Sequence, residues 1–235
     1  VAVRFEREGN LLGQLTHPNI AQLLDAGVAP GGQPYMVLEY VDGEPIDRYC
    51  DERKHGVETR IRLFLDMLGA IAHAHAHLIV HRDLKPSNVM VGDGGQVKVL
   101  DFGLVKAIDE KKQAGMTAAN SLTGTPLYIS PEGINAPALV DARSDIYAVG
   151  ATAYFLLTGH PPFVSSNLVD LLRMHVMDDP IAPSQRLGRP VSAELETAVL
   201  ACLEKNPANR PQTARDVAGL LRKCPEYGRW TVDDG

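Results

Sequence analysis

A run of polar side chains lies between two apolar stretches at residues 80–91, where the sequence reads VHRDLKPSNVMV. Its histidine, arginine, aspartate, lysine and asparagine fall where the hydrophobic pattern places the protein interior. A buried polar or charged group costs free energy unless it is hydrogen-bonded or paired. Any fold that buries the flanking runs must therefore hold these side chains against one another, which predicts a built polar site.

A β-hairpin is predicted directly after the polar run. Two short apolar stretches, 89–91 and 97–100, flank a glycine-rich turn at 92–95, which is a pattern typical of two antiparallel strands. Because a hairpin returns the chain to its starting point, we expect Asn88 before it and Asp101 after it to lie close together. Amide and carboxylate oxygens are ligands that Mg²⁺ prefers.

Two more side chains complete this predicted site. Asp83 precedes Asn88 closely enough to face the same point and act as a base, and Lys85 can place a positive charge beside it. A base, a cation and two metal ligands suit phosphoryl transfer, because that chemistry depends on positioning and on neutralising charge. A purely structural ion pair between Asp83 and Lys85 is the competing interpretation.

Composition narrows the classes of protein. The chain has 235 residues, of which 45% are hydrophobic and 22% charged, and this suits one large domain or two packed lobes. A net charge of −6 with scattered lysine and arginine argues against nucleic-acid binding through a basic face. The three cysteines indicate buried thiols in a reducing compartment. The longest apolar run, 146–157, is too short for a membrane span, which needs about 20 residues.

Hydrophobic periodicity predicts a mainly helical chain after a short extended part. Strands are expected near 20–27 and 35–41, and residues 111–124 are expected to form a loop. Helices are expected near residues 4–15, 57–78, 142–157, 166–176, 192–204 and 213–223.

Several stretches resemble protein kinases, in the order that the family has them. Residues 81–88 resemble the catalytic loop, and Asp101-Phe102-Gly103 resembles the metal-binding triplet. Residues 124–132 resemble the end of the activation segment, with Ser130 where the family usually has alanine. Residues 144–150 resemble the start of the central helix, and residues 206–211 resemble the last signature. The resemblance covers essentially the whole chain.

The resemblance implies a role for each matching residue. Asp83 would accept the proton of the substrate hydroxyl, Lys85 would steady the γ-phosphate of ATP, and Asn88 with Asp101 would hold Mg²⁺, Mn²⁺ being the alternative metal. The hinge would bind adenine through Leu38, Glu39 and Val41. The remaining matching residues would brace or regulate the site: Glu8, His81, Arg82, Phe102, Gly103, Thr125, Glu132, Asp145 and Arg210. Among these, Asp145 would brace the catalytic loop, and Glu132 would pair with Arg210.

An α+β, two-lobe fold is implied, with a complete, mostly helical C-lobe at 42–224. A partial N-lobe at 1–41 and an exit segment at 225–235 would flank it. The glycine-rich loop and strand lysine of the family have no match, since the first lysine is Lys54. We therefore expect a catalytic domain truncated at its N-terminus and inactive on its own.

The closest resemblance is to bacterial eukaryote-like serine/threonine kinases, which implies protein substrates and a cytoplasmic location, as a free protein or as part of a membrane-anchored kinase. The candidate phosphosites are Thr117, Ser121 and Thr123, and we expect a phosphate on Ser121 or Thr123 to pair with Arg82. The non-enzyme alternative is a pseudokinase-like interaction module. A metal site at His73 and His77, which share a helical face, is a more remote alternative to histidines that simply end a helix.

Overall fold

The computed structural model describes residue 13 and residues 15–31, 33–102 and 126–227 of the chain. Six of the predicted site residues lie outside this part: Glu8, Gly103, Thr117, Ser121, Thr123 and Thr125.

 The structure does not test the predictions made for these six residues. The helix predicted at 4–15 also falls largely outside the described residues.

Two strands, β1 (Leu23–Val28) and β2 (Pro34–Leu38), form an antiparallel pair in which Ala26 lies opposite Met36. Apolar side chains of this pair remain exposed, among them Leu24, Tyr35 and Val37. The strand predicted at 35–41 ends at Leu38. Residues 39–41 lie outside the strand, although the Glu39 N–H still donates to the carbonyl of Gln22, which precedes β1.

A second sheet has the order β3-β4-β5. Strand β3 (Glu44–Pro45) pairs with β4 (Val89–Val91), and β4 pairs with β5 (Val97–Val99) as the predicted hairpin. In β4 and β5 the valines are buried and the central residue is half-buried. The hairpin prediction is therefore confirmed, and its buried face packs into the core.

Helices are the main regular structure of the described chain. They are α1 (Ile46–Glu52), α2 (Val57–Ala76), α3 (Pro131–Asn135), α4 (Ala142–Thr158), α5 (Leu168–Met177), α6 (Pro183–Leu187), α7 (Ala193–Cys202) and α8 (Ala214–Leu221). The five long helices predicted after residue 56 are confirmed, with ends within a few residues. The short helices α1, α3 and α6 were not predicted.

Helix α4 lies at the centre of the helical part and is buried along almost its whole length. A helix that is apolar on all sides belongs in an interior, and α2, α6 and α7 pack against this one. A Cβ atom at Gly150 would lie 2.5 Å from Cβ of Cys202, so glycine is what lets α4 and α7 pack this closely. The described residues thus form an α+β structure, as the sequence predicted.

Candidate active site

The β4–β5 hairpin brings Asn88 and Asp101 to the same end of the sheet. Val89 pairs with Val99, and the Leu100 N–H donates to the Asn88 carbonyl at 2.8 Å. Asp101 follows Leu100 directly and has a φ of 51°. This left-handed conformation is uncommon for a non-glycine residue and is found disproportionately at functional sites.

Asp83, Lys85 and Asn88 form one hydrogen-bonded group beside the hairpin. Lys85 Nζ lies 2.9 Å from Asp83 Oδ2. Asn88 Nδ2 donates to the Asp83 carbonyl at 2.7 Å and lies 3.3 Å from Asp83 Oδ2. The 3₁₀ turn Pro86–Asn88 sets this spacing, because it carries the chain directly from Lys85 into β4. The structure therefore brings these three residues into contact.

Asn88 and Asp101 have the chemistry of a site for a hard cation. The amide nitrogen of Asn88 is used by Asp83, which leaves its carbonyl oxygen Oδ1 as the group available to a ligand. Asp101 is exposed and contributes a carboxylate. Oxygen donors of this type fit Mg²⁺ while it retains water and phosphate ligands.

His81 is fully buried beneath the catalytic loop. Its Nε2 lies 2.8 Å from the Leu100 carbonyl, and the Asp83 N–H donates to its Nδ1 at 3.3 Å. These partners fit a neutral ring with the proton on Nε2, and burial lowers the pKa of His81. The ring also packs against Phe102, with centroids 4.7 Å apart, so His81 links the residues before Asp83 to those around Asp101.

The Asp145 carboxylate lies beneath the same loop and is almost completely buried. It accepts hydrogen bonds from the His81 N–H at 2.7 Å and the Arg82 N–H at 2.9 Å. Arg82 has a φ of 67°, so this carboxylate holds a backbone turn that few side chains tolerate. Its Oδ2 also lies 2.7 Å from Nε2 of His75.

A buried ion pair joins Glu132 to Arg210. Two guanidinium nitrogens lie 2.7 and 2.8 Å from the two carboxylate oxygens, and Ser144 Oγ donates to Glu132 at 2.6 Å. Burial alone would raise the pKa of Glu132, but the hydrogen bonds from Arg210 and Ser144 lower it overall. Ser130, which stands where alanine is usual in the resemblance, caps α3 by accepting from the Gly133 N–H.

The predicted hinge follows β2. Leu38 ends the strand, and the Glu39 N–H donates to the Gln22 carbonyl at 2.8 Å. Within the described residues, no hydrogen bond engages the Val41 N–H. The Val41 N–H of the hinge is therefore available to a ligand. The side chain of the neighbouring Tyr40 is exposed.

Around His73 and His77 the described residues show no cluster suited to a metal ion. In the described ranges, no group of three or more histidine, cysteine, aspartate or glutamate side chains could hold a metal ion. The His73 and His77 rings pack together with centroids 4.5 Å apart, and His77 Nδ1 lies within hydrogen-bond distance of the His73 carbonyl.

No helix in the described ranges has the length and apolar character needed to cross a membrane.

Sequence reasoning missed two residues near the site, His75 and Lys98. His75 contacts Asp145, and Lys98 contacts the hinge carboxylate of Glu39 at 2.9 Å. The alternation Val97-Lys98-Val99 does indicate that Lys98 points away from the buried face. Its partner lies 59 residues away in the sequence, so spacing alone could not find it.

Comparison with known proteins gives a consistent result. The profile of a family described as protein kinase domain matches residues 3–219 of the chain. Serine/threonine-protein kinase PknB of Mycobacterium leprae is 40% identical over 225 residues, which cover 94% of this chain and 36% of that protein. Serine/threonine-protein kinase pkn3 of Myxococcus xanthus is 39% identical, covering 96% of this chain and 42% of that protein. The chain thus spans less than half the length of these relatives.

A solved structure shares the fold. The crystal structure of Rad53 1–466 in complex with AMP-PNP matches this chain with a TM-score of 0.74 and 27% sequence identity. The match covers 97% of this chain and 56% of that one. The helical part and the small sheets described above therefore have a known counterpart across nearly the whole chain.

Proposed function

The chain belongs to the protein kinase domain family, and on this premise we propose that it transfers the γ-phosphoryl group of Mg-ATP to serine or threonine hydroxyls of proteins. The observation that carries the proposal is the contact of Asp83 with Lys85 and Asn88 beside the hairpin that delivers Asp101. The names of the relatives, which are serine/threonine-protein kinases, support the acceptor class.

Asp83 acts as the base in this proposal. Its Oδ2 is engaged by Lys85 and Asn88, so Oδ1 is the atom that would accept the proton of the substrate hydroxyl. The hydroxyl oxygen bonds to the γ-phosphorus, the bond from that phosphorus to the β–γ bridging oxygen breaks, and ADP leaves. Lys85 stays beside the transferred group and offsets its negative charge.

Asn88 and Asp101 are the residues that would hold Mg²⁺. When bound, the ion neutralises charge on the phosphate oxygens. The chain's own contribution is to fix its two oxygen donors. Asn88 is fixed by the bonds of its amide nitrogen to Asp83, and Asp101 is fixed by its place directly after the hairpin. Glu39 and Val41 would bind adenine through their backbone groups.

The location and the regulation of the chain are part of the proposal. The three cysteines are free and buried, and burial raises the pKa of the Cys50 thiol to about 11. Buried, protonated thiols suit a reducing compartment such as the cytoplasm, which also supplies ATP.

Phosphate on Ser121 or Thr123 would pair with Arg82 and order the activation segment. Mapping phosphate in active protein tests this, and activity with no phosphate at 111–125 would contradict it.

Intact-mass spectrometry after incubation with Mg-ATP and a protein substrate tests the transfer. We expect Asp83→Asn to lower the rate by roughly 10²- to 10⁴-fold, the contribution of a general base. The same assay on a version carrying upstream residues tests whether the 235 residues suffice. If the longer wild type transfers no phosphate, the pseudokinase-like interaction module becomes the better interpretation.

A further inference from the structure

A hydrogen-bonded ribbon connects the hinge to the hairpin of the active site. The Val99 N–H donates to the Asn19 carbonyl at 2.8 Å, and the Ala21 N–H donates to the Val99 carbonyl at 3.0 Å. Asn19 Nδ2 adds a bond to the Val97 carbonyl at 2.9 Å. At the other end of the segment, the Glu39 N–H donates to the Gln22 carbonyl. The segment 19–22 thus lies between β5 and the end of β2.

Lys98 closes this ribbon with an ion pair. Its neighbours Val97 and Val99 are fully buried, so its own side chain points to the opposite face of β5. There Nζ lies 2.9 Å from both carboxylate oxygens of Glu39. The same carboxylate accepts the Gln22 N–H at 3.1 Å. Hydrogen bonds from Lys98 and Gln22 lower the pKa of Glu39, which keeps it charged.

The two ends of this contact correspond to the two ends of a bound nucleotide. Glu39 belongs to the backbone proposed to hold adenine, and Asp101 follows β5 to the side proposed to hold the phosphates through Mg²⁺. We infer that Lys98 is a positioning residue, which fixes the hinge relative to the hairpin through the Glu39 carboxylate. The inference rests on the proposed function for the identity of the nucleotide.

An ordinary surface ion pair is the competing interpretation. Such pairs contribute little to stability. The pair of Lys98 and Glu39 differs, because the Glu39 carboxylate also holds the backbone of Gln22. Loss of Lys98 is therefore expected to loosen the backbone at Gln22 and Glu39 as well as the Glu39 side chain.

The test replaces Lys98 by methionine, which keeps an unbranched stem and removes the charge. Lys223→Met, at an exposed lysine in the C-terminal part of the chain, is the matched control. Amide hydrogen exchange at Gln22 and Glu39 is measured without nucleotide, and the Kd of Mg-ADP is measured by calorimetry. In active protein, KM for ATP and kcat are measured as well. The conservative variant Lys98→Arg, which keeps a cation and leaves the Glu39 carboxylate free to accept the Gln22 N–H, tests whether the positive charge maintains the wild-type values.

We expect Lys98→Met to speed exchange at both amides and to raise the Kd of Mg-ADP and the KM for ATP about tenfold, the size of one lost charge-assisted contact. The kcat at saturating ATP should stay within about twofold, and Lys98→Arg should keep most of the affinity. Unchanged exchange, or a Kd within about twofold of wild type, would overturn the inference. A wild type that binds no Mg-ADP would contradict the proposed function instead, and the exchange rates would then decide the role of Lys98 alone.

Discussion

His75 and Asp145 meet in the interior, with Nε2 of the ring 2.7 Å from Oδ2 of the carboxylate. Asp145 also holds the backbone of the catalytic loop through the N–H groups of His81 and Arg82. Helix α2, which carries His75, and helix α4, which carries Asp145, are thereby joined at the point where the loop begins. A contact between two helices thus supports the residues that precede Asp83.

Replacing His75 by phenylalanine should lower the free energy of unfolding by about 1–3 kcal/mol, because a buried acceptor then loses one donor. Urea denaturation measures the change. His77→Phe is the control, since His77 is exposed directly after the same helix and its replacement should change stability by less than about 0.5 kcal/mol. Equal losses in the two variants would contradict the assigned role of His75.

Arg210→Met should cost about 3–5 kcal/mol, because it leaves the Glu132 carboxylate buried without its cation. Adding Glu132→Gln removes the unpaired charge and should recover a large part of the loss. The free energy of unfolding of each variant is measured by denaturant titration and compared with that of the wild type. A double variant no more stable than Arg210→Met would show that packing of the guanidinium, which lies 5.0 Å from the Tyr147 ring centroid, matters more than charge.

The same pair predicts a pH effect with a definite sign. Glu132 has a folded-state pKa below its ordinary value of 4.5. The stability it contributes is therefore present above that value and is lost as pH falls through the lower folded-state pKa. In Arg210→Met, burial would instead raise the pKa of Glu132. We expect the stability gap between wild type and Arg210→Met to narrow as pH falls, starting above pH 4.5 because the pKa of Glu132 is raised in the variant, and a gap independent of pH would contradict this.

His175 should make the protein less stable in mild acid. Burial, and then the nearby Lys205, lower the pKa of His175 from 6.5 to about 4. Between these two pH values the unfolded state therefore binds a proton at His175 that the folded state does not bind. Stability therefore falls as pH drops from about 6.5 towards 4, by about 2 kcal/mol at pH 5. The Tyr147 hydroxyl lies 2.9 Å from Nδ1 of His175.

A comparison of Tyr147→Phe with Tyr147→Phe/His175→Leu isolates the acid-induced loss of stability that His175 causes. Neither variant has a tyrosine hydroxyl at position 147, so none is left unpaired. The free energy of unfolding is measured at pH 7.5 and pH 5 in both. The loss on acidification should be about 2 kcal/mol smaller in the double variant. An identical loss in both would assign the acid sensitivity to other groups.

Leu78→Gly should stabilise the protein by about 1 kcal/mol. Leu78 follows α2 with a φ of 61° and is 93% exposed. The Ile79 N–H donates to the Ala74 carbonyl and the Leu78 N–H to the His75 carbonyl, which is the helix ending that favours glycine at this position. Thermal or urea denaturation measures the gain.

Gly159→Ala provides the converse control. Gly159 ends α4 with a φ of 74°, and a Cβ there would meet no atom within 4 Å. The substitution should therefore cost about 1–2 kcal/mol from backbone strain alone. If Leu78→Gly destabilises while Gly159→Ala behaves as expected, the exposed leucine side chain must make a contact that outweighs its backbone strain.

The sequence was sufficient for the parts of the site that are local. The site residues Asp83, Lys85, Asn88 and Asp101 lie within nineteen residues and are connected by one turn and one hairpin. Their spacing in the sequence is therefore enough to predict that they lie close together.

The short helices were missed for a physical reason. Helix α1 has seven residues and no side-chain cap, which gives neither a full hydrophobic period nor a start signal.

Contacts between distant elements could not be predicted in the same way. His75 and Asp145 are 70 residues apart, and Glu39 and Lys98 are 59 apart. Each residue is unremarkable in its own stretch, and only the packing of whole elements brings the pairs together. The resemblance to kinases supplied roles for Asp145, Glu132 and Arg210, but it supplied none for His75 or Lys98.

The ribbon at Asn19 also has a consequence for the order of events during synthesis. Asn19 bonds to Val97, 78 residues later in the chain. At roughly 5–20 residues per second, translation separates the two by about 4–16 s. Strands β1 and β2 are thus made first and must wait for the hairpin before they can dock. Over that interval a chaperone or a neighbouring nascent chain could bind their exposed apolar side chains, so the yield of folded protein should depend on translation speed through this region.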